Sequence, residues 1–445
     1  MNKKDAEFND TERTKRLVKT LNEHPLLREQ VEAILKLVHS DDGPIRKADD
    51  VEELLVQEIR KLGKNALEVW AIGAEERSAA ELQRDSPRAR CFKKKVLIWW
   101  CVYGPVSVVE RVWRTPTVKY LRVFNAQAGI TSRGKSRRLE RVLCDFGVEC
   151  SFAKSCIRLE EHYGFDLGPS AVREATLFHA KLAAKILAAH YAENFRVLPK
   201  NGPAHIIVQT DGTMIRTTAK GRKRKDKRPL EWKEIRLSAS HAQGSKKVVY
   251  AAGFTTVEQT GRRMAHCARA AGWALESRIH VIADGAVWIL NQTREVFGEH
   301  CDFLLDFYHV SEYLAAAAPS CRPSDTKGWL RTQQKRLKRG AFEQVLETMR
   351  EHEESPEMPE EQAPVRTAIR YLSSRREQLD YKSALAKKLP IGSGLIESGH
   401  KHVLQARLKQ TGSAWNPEHA DALAQLRVLR SNSLWDEYWD SNIAA

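Results

Sequence analysis

His205-Ile206-Ile207-Val208-Gln209-Thr210-Asp211-Gly212 reads as a short apolar strand that ends in an aspartate followed by glycine. The pattern returns in His280-Val281-Ile282-Ala283-Asp284-Gly285-Ala286. Asp and Gly favour turns on their own account, so either motif alone reads as a plain turn. Their setting changes the reading. Residues 203–310 alternate strand and helix, as an α/β domain does. Strands are expected at His205–Gln209, Trp232–Ser240, Val248–Gly253, Ile279–Ala283 and Phe303–Asp306. Helices are expected over Gln259–Ala271, over Val287–Phe297 and onward from Phe307.

A third acid lies far downstream, in Gly392-Ser393-Gly394-Leu395-Ile396-Glu397-Ser398. Here a Gly-Ser-Gly turn leads into a helical pattern. Leu395, Ile396, Val403 and Leu404 can pack one side, while Glu397, His400, Lys401 and Arg407 project from other turns. A lone glutamate there is an ordinary solvated helix residue. Two strand-end aspartates with a distant helical glutamate are instead the ingredients of a metal-dependent nuclease or strand-transferase site. Phosphodiester chemistry needs an activated attacking oxygen and a stabilised leaving oxygen, and two Mg²⁺ ions do both. Magnesium takes carboxylate oxygens. Asp211 is read as the bridging ligand, Asp284 as a ligand of one metal and Glu397 of the other. Leu304-Leu305-Asp306-Phe307-Tyr308-His309 holds a further pair, Asp306 and His309, on one face of a helix start. It reads as a helix cap with a packed histidine, as an auxiliary support for the metal site, or as a contact to a DNA base or phosphate. Asp306 also rivals Asp284, which is preferred for its Asp-Gly-Ala context.

Three early strands, a helix and a strand ending in Asp284 follow the order of an RNase H-like sheet. The long separation of Asp284 from Glu397 implies a helical insertion. The chain is therefore read as multidomain α/β, with an RNase H-like catalytic core, an all-helical insertion, and helical and helix-turn-helix DNA-binding regions in front. The expected divisions are 1–90 helical, 91–130 a β-hairpin region, 131–200 the helix-turn-helix region, 201–323 the first part of the core, 324–389 the insertion, and 390–445 the core's C-terminal helix and tail. The hairpin is expected from two aromatic, β-branched runs, Val96–Tyr103 and Val106–Trp113, across Gly104-Pro105. In the helix-turn-helix, Phe152–Tyr163 and a helix from Ser170, its expected N-cap, flank a glycine turn. Ser170, Arg173 and Thr176 would face base edges. The tail from Pro417 to Trp439 reads as one amphipathic helix.

Composition narrows the partner. The 445 residues carry a formal charge of +16, which favours a polyanion, nucleic acid above all. The cations cluster: Arg222, Lys223, Arg224 and Lys225 stand in the densest run, and Lys401, Arg407 and Lys409 lie on the Glu397 helix. No apolar run approaches the ~20 residues of a membrane helix, and no secretory signal is evident. The eight cysteines form no Cys-x-x-Cys. Cys144, Cys150 and Cys156 read as reduced thiols of a cytosolic protein, with a zinc site as the other option.

Together, Asp211-Gly212, Asp284-Gly285-Ala286 with Trp288-Ile289, Leu305-Asp306-Phe307-Tyr308-His309 and Gly392-Ser393-Gly394-x-x-Glu397-Ser398 resemble bacterial insertion-sequence DDE transposases. The type is the ISKra group, related to Mutator-like transposases, and the resemblance runs from about Val96 to Trp415. It implies Asp211, Asp284 and Glu397 as the catalytic triad and Asp306 with His309 as the Asp-x-x-His motif. It further implies two Mg²⁺ or Mn²⁺ ions and cleavage and strand transfer at double-stranded DNA, both element ends and target. A homodimer or higher oligomer on the DNA and a bacterial, nucleoid-associated cytoplasmic location follow from the same likeness. Clustered cysteines found before the helix-turn-helix in some relatives are missing. A transposase-derived DNA-binding regulator and an RNase H-like structure-specific nuclease are the alternative readings.

Overall fold

The computed structural model describes residues 3–39, 46–192, 197–219 and 229–441. The chain is multidomain α/β and divides between Thr176 and Leu177 into two compact units.

The first unit opens with helices α1 (Lys3–Glu23), α2 (Pro25–Val38) and α3 (Ala48–Asp85). Strands β1 (Arg90–Cys101) and β2 (Gly104–Arg114) form an antiparallel hairpin. Its turn is Val102-Tyr103 rather than Gly104-Pro105, because Cys101 already pairs with Gly104, whose φ of +98° only glycine adopts freely. Leu97, Trp99, Val106 and Val108 pack one face of the ribbon against Ala71 of α3 and against Phe124 of the short α4 (Val123–Gln127). Glu110 is fully buried there and is satisfied by Arg122 Nε at 2.7 Å and the Asn125 amide at 2.8 Å.

Helices α5 (Arg137–Glu149) and α6 (Phe152–Tyr163) start at serine caps, Ser136 and Ser151, whose hydroxyls accept from Leu139 N and Lys154 N. Gly164 ends α6 in the left-handed region at φ +73°. Helix α7 (Pro169–Ala192) then begins one residue before the expected cap, because proline is pre-set for a first helical position. Leu139, Leu143, Leu159, Val172 and Ala175 form the common core of these helices.

The second unit is built on a five-stranded mixed sheet in the order β5-β4-β3-β6-β7. Strands β3 (His205–Thr218), β4 (Leu230–Ala242) and β5 (Val249–Gly253) run antiparallel, while β6 (Arg278–Ala283) and β7 (Cys301–Leu305) extend the sheet in parallel beside β3. Crossover helices α8 (Val257–Ala270) and α9 (Val287–Phe297) join β5 to β6 and β6 to β7. Alternation along β3 and β6 sends Ile206, Val208, Ile279 and Val281 to one face, against Met264, Ala268 and Phe297. Ile207, Ile282 and Leu304 point the other way, into a core shared with a block of helices: α10 (Phe307–Cys321), α11 (Thr326–Lys338), α12 (Phe342–Arg350), α13 (Pro364–Ser373) and α14 (Tyr381–Ala386).

The chain returns to the sheet through α15 (Gly394–Gly399), a π-helical turn (His400–Gln405) and α16 (Ala406–Leu408). A π turn leaves carbonyls displaced from the usual ladder, and the buried Arg427 guanidinium donates to two of them, His402 O and Val403 O. The tail is two helices, α17 (Pro417–Ser431) and α18 (Trp435–Asp440), not one. Nor is α17 amphipathic: nine consecutive-turn residues from Ala420 to Leu429 are buried, Gln425 and Arg427 among them. It lies along the edge strand β5, where Asn432 donates to Tyr250 O and accepts from Tyr250 N, and Asp421 accepts from Phe254 N. Side chains thus cover an edge that would otherwise invite pairing.

One close approach is testable. A Cβ on Gly147 of α5 would come within 2.1 Å of Thr176 Oγ1 on α7. In an exposed helix Gly→Ala stabilises by about 1 kcal/mol. Here Gly147→Ala is expected to destabilise by about 1–3 kcal/mol through overpacking, and Thr176→Ala in the same chain to recover part of the loss. Urea denaturation of the two variants against wild type checks the sign.

Candidate active site at the ends of the central strands

Register brings three aspartates to one rim of the sheet. The parallel pairing of β3 with β6 ends at Gln209↔Ile282, and that of β6 with β7 at Ala283↔Leu305. Asp211 and Asp284 each follow two residues after the first couple. Asp306 follows one residue after Leu305, so it falls opposite Asp284, and its amide donates to Ala283 O at 2.8 Å. Adjacent strands lie about 4.8 Å apart, and the carboxyl ends of parallel strands are where open α/β sheets hold ligands. The expectation that Asp211 ends its own strand is corrected. Strand β3 continues to Thr218 along β4, with Asp211 opposite Leu237. What stops beside Asp211 is its other neighbour, β6. Gly212 is therefore mid-strand, and Glu234 of β4 lies over it, 2.2 Å from where a Cβ would be.

The fourth carboxylate arrives by a clamp. Gln209, 1% exposed, donates from Nε2 to Gly392 O at 3.1 Å and accepts from Ile396 N at 2.9 Å. His280 Nε2 contacts Pro390 O at 2.8 Å, and Phe307 N donates to Ile391 O at 2.9 Å. These bonds fasten the turn before α15 to β3, to β6 and to the start of α10. Gly399 lets the helix lie close on the sheet, since a Cβ there would meet Leu237 and Tyr250 at 3.0 Å. Ser393 then links the acids: its hydroxyl faces Asp306 Oδ2 and, at 3.2 Å, Glu397 Oε1.

The electrostatics are those of crowded, under-neutralised carboxylates. Burial pushes the Asp211 carboxyl up to about 6, the Gly212 amide at 2.7 Å opposes the rise, and the charges of Asp284, Glu234 and Glu397 add to it. His400 Nε2 is 3.5 Å from Asp211 Oδ2. That is no ion pair, because burial lowers the His400 imidazole to about 4; the Asp211 backbone opposes this and Lys409 reinforces it. Ser393 carries one proton toward two carboxylate oxygens, so one of those contacts lacks a hydrogen-bond donor. A cation would relieve each of these frictions, and the oxygen-only donor set suits a hard divalent ion. Among the described residues, however, no three His, Cys, Asp or Glu side chains already stand together as a ligand group.

The remaining expected residues fall as follows. Asp284 is exposed, with Oδ1 accepting from Ala286 N at 3.0 Å and its carbonyl accepting from the Tyr371 hydroxyl at 2.7 Å. Asp306, 5% exposed, is committed to structure: it caps α10 through Tyr308 N and accepts from Ser393. Of the rival pair, Asp284 is the open one. His309 packs edge-on to Tyr313 and Tyr371, with Nδ1 3.4 Å from Glu312. Lys401 and Lys409 are exposed, and Lys409 Nζ donates to Thr213 Oγ1 at 3.2 Å. Two residues expected to face outward toward DNA are corrected. Arg407 is 2% exposed, stacked 4.8 Å from the Trp415 ring, and Thr176 is fully buried, donating to Val172 O at 2.8 Å. Packing between helices took both. His400 is likewise buried rather than projecting. Ser170 and Arg173 are exposed in the first turns of α7. Arg222, Lys223, Arg224 and Lys225 lie outside the described residues. Cys144, Cys150 and Cys156 are buried free thiols.

Sequence reading missed Gln209, Glu234, Tyr371, Ser393 and the role of His400. Alternation along β3 could have found Gln209, which shares a face with Asp211. Glu234 needed the β3–β4 register.

The raised Asp211 carboxyl sets a pH signature. A carboxyl whose folded-state value exceeds its unfolded value near 4 makes the folded state lose stability as pH rises from about 4 to 6. Asp211→Asn is expected to match wild type below about pH 4 and to be the more stable protein above pH 6, in chelator. Denaturation midpoints across that range check it, and a pH-independent difference would contradict the site's charge crowding.

A model of the Uncharacterised protein family (UPF0236) matches residues 270–437. That stretch carries Asp284, Asp306, Glu397 and His400 but not Asp211. No curated protein matches the chain.

Proposed function

We propose that the protein is a DDE transposase of the bacterial insertion-sequence type, binding the ends of its element and catalysing metal-dependent DNA cleavage and strand transfer. The observation that carries this reading is that Asp211, Asp284 and Glu397, from three distant segments, lie within one another's electrostatic reach at one rim of the sheet: burial raises the Asp211 carboxyl, and the charges of Asp284 and Glu397 add to the rise. The sheet order β5-β4-β3-β6-β7, antiparallel then parallel, supports an RNase H-like core. The helices from α11 to α14, between α10 and α15, suit an all-helical insertion. UPF0236 is a family of uncharacterised proteins often associated with transposase-like insertion-sequence elements, which points the same way.

Asp211, Asp284 and Glu397 would hold two Mg²⁺ or Mn²⁺ ions, which when bound activate the attacking oxygen and stabilise the leaving one. The chain's own part is positioning. Gln209 and His280 fix the turn that presents Glu397, while Asp306 and Ser393 keep that turn on the rim. Neutral His400 closes the inner side of Asp211 without bringing a competing positive charge. Exposed Lys401 and Lys409, on the same helix run, can meet phosphates. Helices α6 and α7, joined through Gly164, are the proposed helix-turn-helix, with Ser170 and Arg173 as its outward residues.

Asp211→Asn, Asp284→Asn and Glu397→Gln are each expected to abolish cleavage of DNA from the borders of the coding region while leaving binding nearly unchanged. Each removes a metal-holding charge. Wild-type cutting by any of them removes that residue from the triad, and a joining assay on cleaved ends separates a transposase from a nuclease.

Arg173→Ala is expected to reduce discrimination between border DNA and a scrambled duplex by about 1–3 kcal/mol, the worth of a bidentate base contact. Competition binding at one fixed salt concentration measures it. An unchanged specificity ratio with lowered folding stability would make residues 152–190 a packing unit only.

A further inference from the structure

The β1–β2 ribbon has a second face that the first unit leaves open. Its pairs are Lys94↔Arg111, Val96↔Val109 and Ile98↔Ser107. Val96 is 60% exposed, Val109 55% and Ile98 41%, an aliphatic strip between a basic pair and a serine. The charge on the ribbon is one-sided. From Arg90 to Arg114 there are six cations and one acid, and that acid, Glu110, is buried against Arg122. Arg111 is the ribbon cation held in an ion pair, with Glu75 at 3.3 Å. On the open face itself Lys94 is exposed, while Lys95, opposite the buried Glu110, and Lys93 flank it from the other face, 5.6 and 4.5 Å from the Tyr120 ring.

We infer that this open face is a duplex-DNA contact surface, separate from the proposed helix-turn-helix, with Lys94 on a phosphate and Val96, Ile98 and Val109 against sugars and thymine methyls. It rests on the proposed function only in taking DNA as the partner. Two strands about 4.8 Å apart make a ribbon that the major groove, about 12 Å wide, admits. A second copy of the chain is the competing occupant. A two-fold contact sets a patch against itself, so the cations of both copies would enter one interface with no acid of this face to offset them. A polyanion meets the same face with complementary charge.

The test uses the full chain and a short mixed-sequence duplex, titrated at several salt concentrations. Lys94→Ala is expected to weaken binding and to reduce the log–log salt slope by about 0.9, one phosphate contact. Val109→Glu, which sets an acid in the middle of the face, is expected to weaken binding at least tenfold. Both side chains are exposed, and unchanged thermal melts show that the fold is kept. If both variants bind as wild type does, the ribbon is not a DNA surface, while wild-type binding leaves the proposed function standing. If wild type binds no duplex, both readings fall. Tighter binding of the single strand than of the duplex overturns the groove assignment. Loss of an oligomer on Val109→Glu, seen by sedimentation with DNA affinity unchanged, gives the face to a second copy.

Discussion

The site depends on one buried side-chain amide. Gln209 satisfies both a carbonyl and an amide of a turn nearly two hundred residues away in sequence, at Gly392 and Ile396. Both groups would be costly to bury unpaired, by about 1–3 kcal/mol each. The bond pair therefore specifies where the turn must lie, not merely that it is buried. Everything that follows the turn inherits that position: Ser393 beside Asp306, Glu397 within the field of Asp211, and His400 under the same carboxylate.

Holding acids this close works against folding. Asp211 feels three other carboxylates, and the histidine nearest to it is neutral. Structures keep such crowding where surrounding packing over-determines it, and perturbed carboxyls gather at functional sites more often than elsewhere. The scaffold here is closely packed on the inner side. Sheet pairing fixes the strands, the helical block α10 to α14 covers one face, and α17 seals the edge strand β5 with Asn432 and Asp421. The outer side of the rim, at Asp284 and Glu397, is left open.

The first unit distributes its charge differently. Two acids beside the ribbon, Glu110 and Glu75, are buried and bonded to Arg122 and Arg111 and to backbone amides. The three ribbon lysines, Lys93, Lys94 and Lys95, are exposed. The result is a basic surface without a compensating acidic one along β1.

Much of this was legible in the chain itself. Local pattern settles local structure: apolar runs with β-branched residues made β5, β6 and β7 nearly as expected, and the Val287–Phe297 helix matched its predicted limits, because flanking glycines and caps are short-range signals. The Asp-Gly motifs and the Gly-Ser-Gly turn could be picked out as candidates for the same reason. Where sequence reading went wrong, a distant partner decided. Strand β3 outran its apolar core because β4 was there to pair with it, the tail broke into two helices, and Thr176 and Arg407 turned inward against neighbouring helices. The rim itself belongs wholly to tertiary structure. That Asp211, Asp284, Asp306 and Glu397 share it follows from strand register and from the hydrogen bonds of Gln209, and neither is written in any one stretch of sequence, since both join groups that only the folded chain brings together.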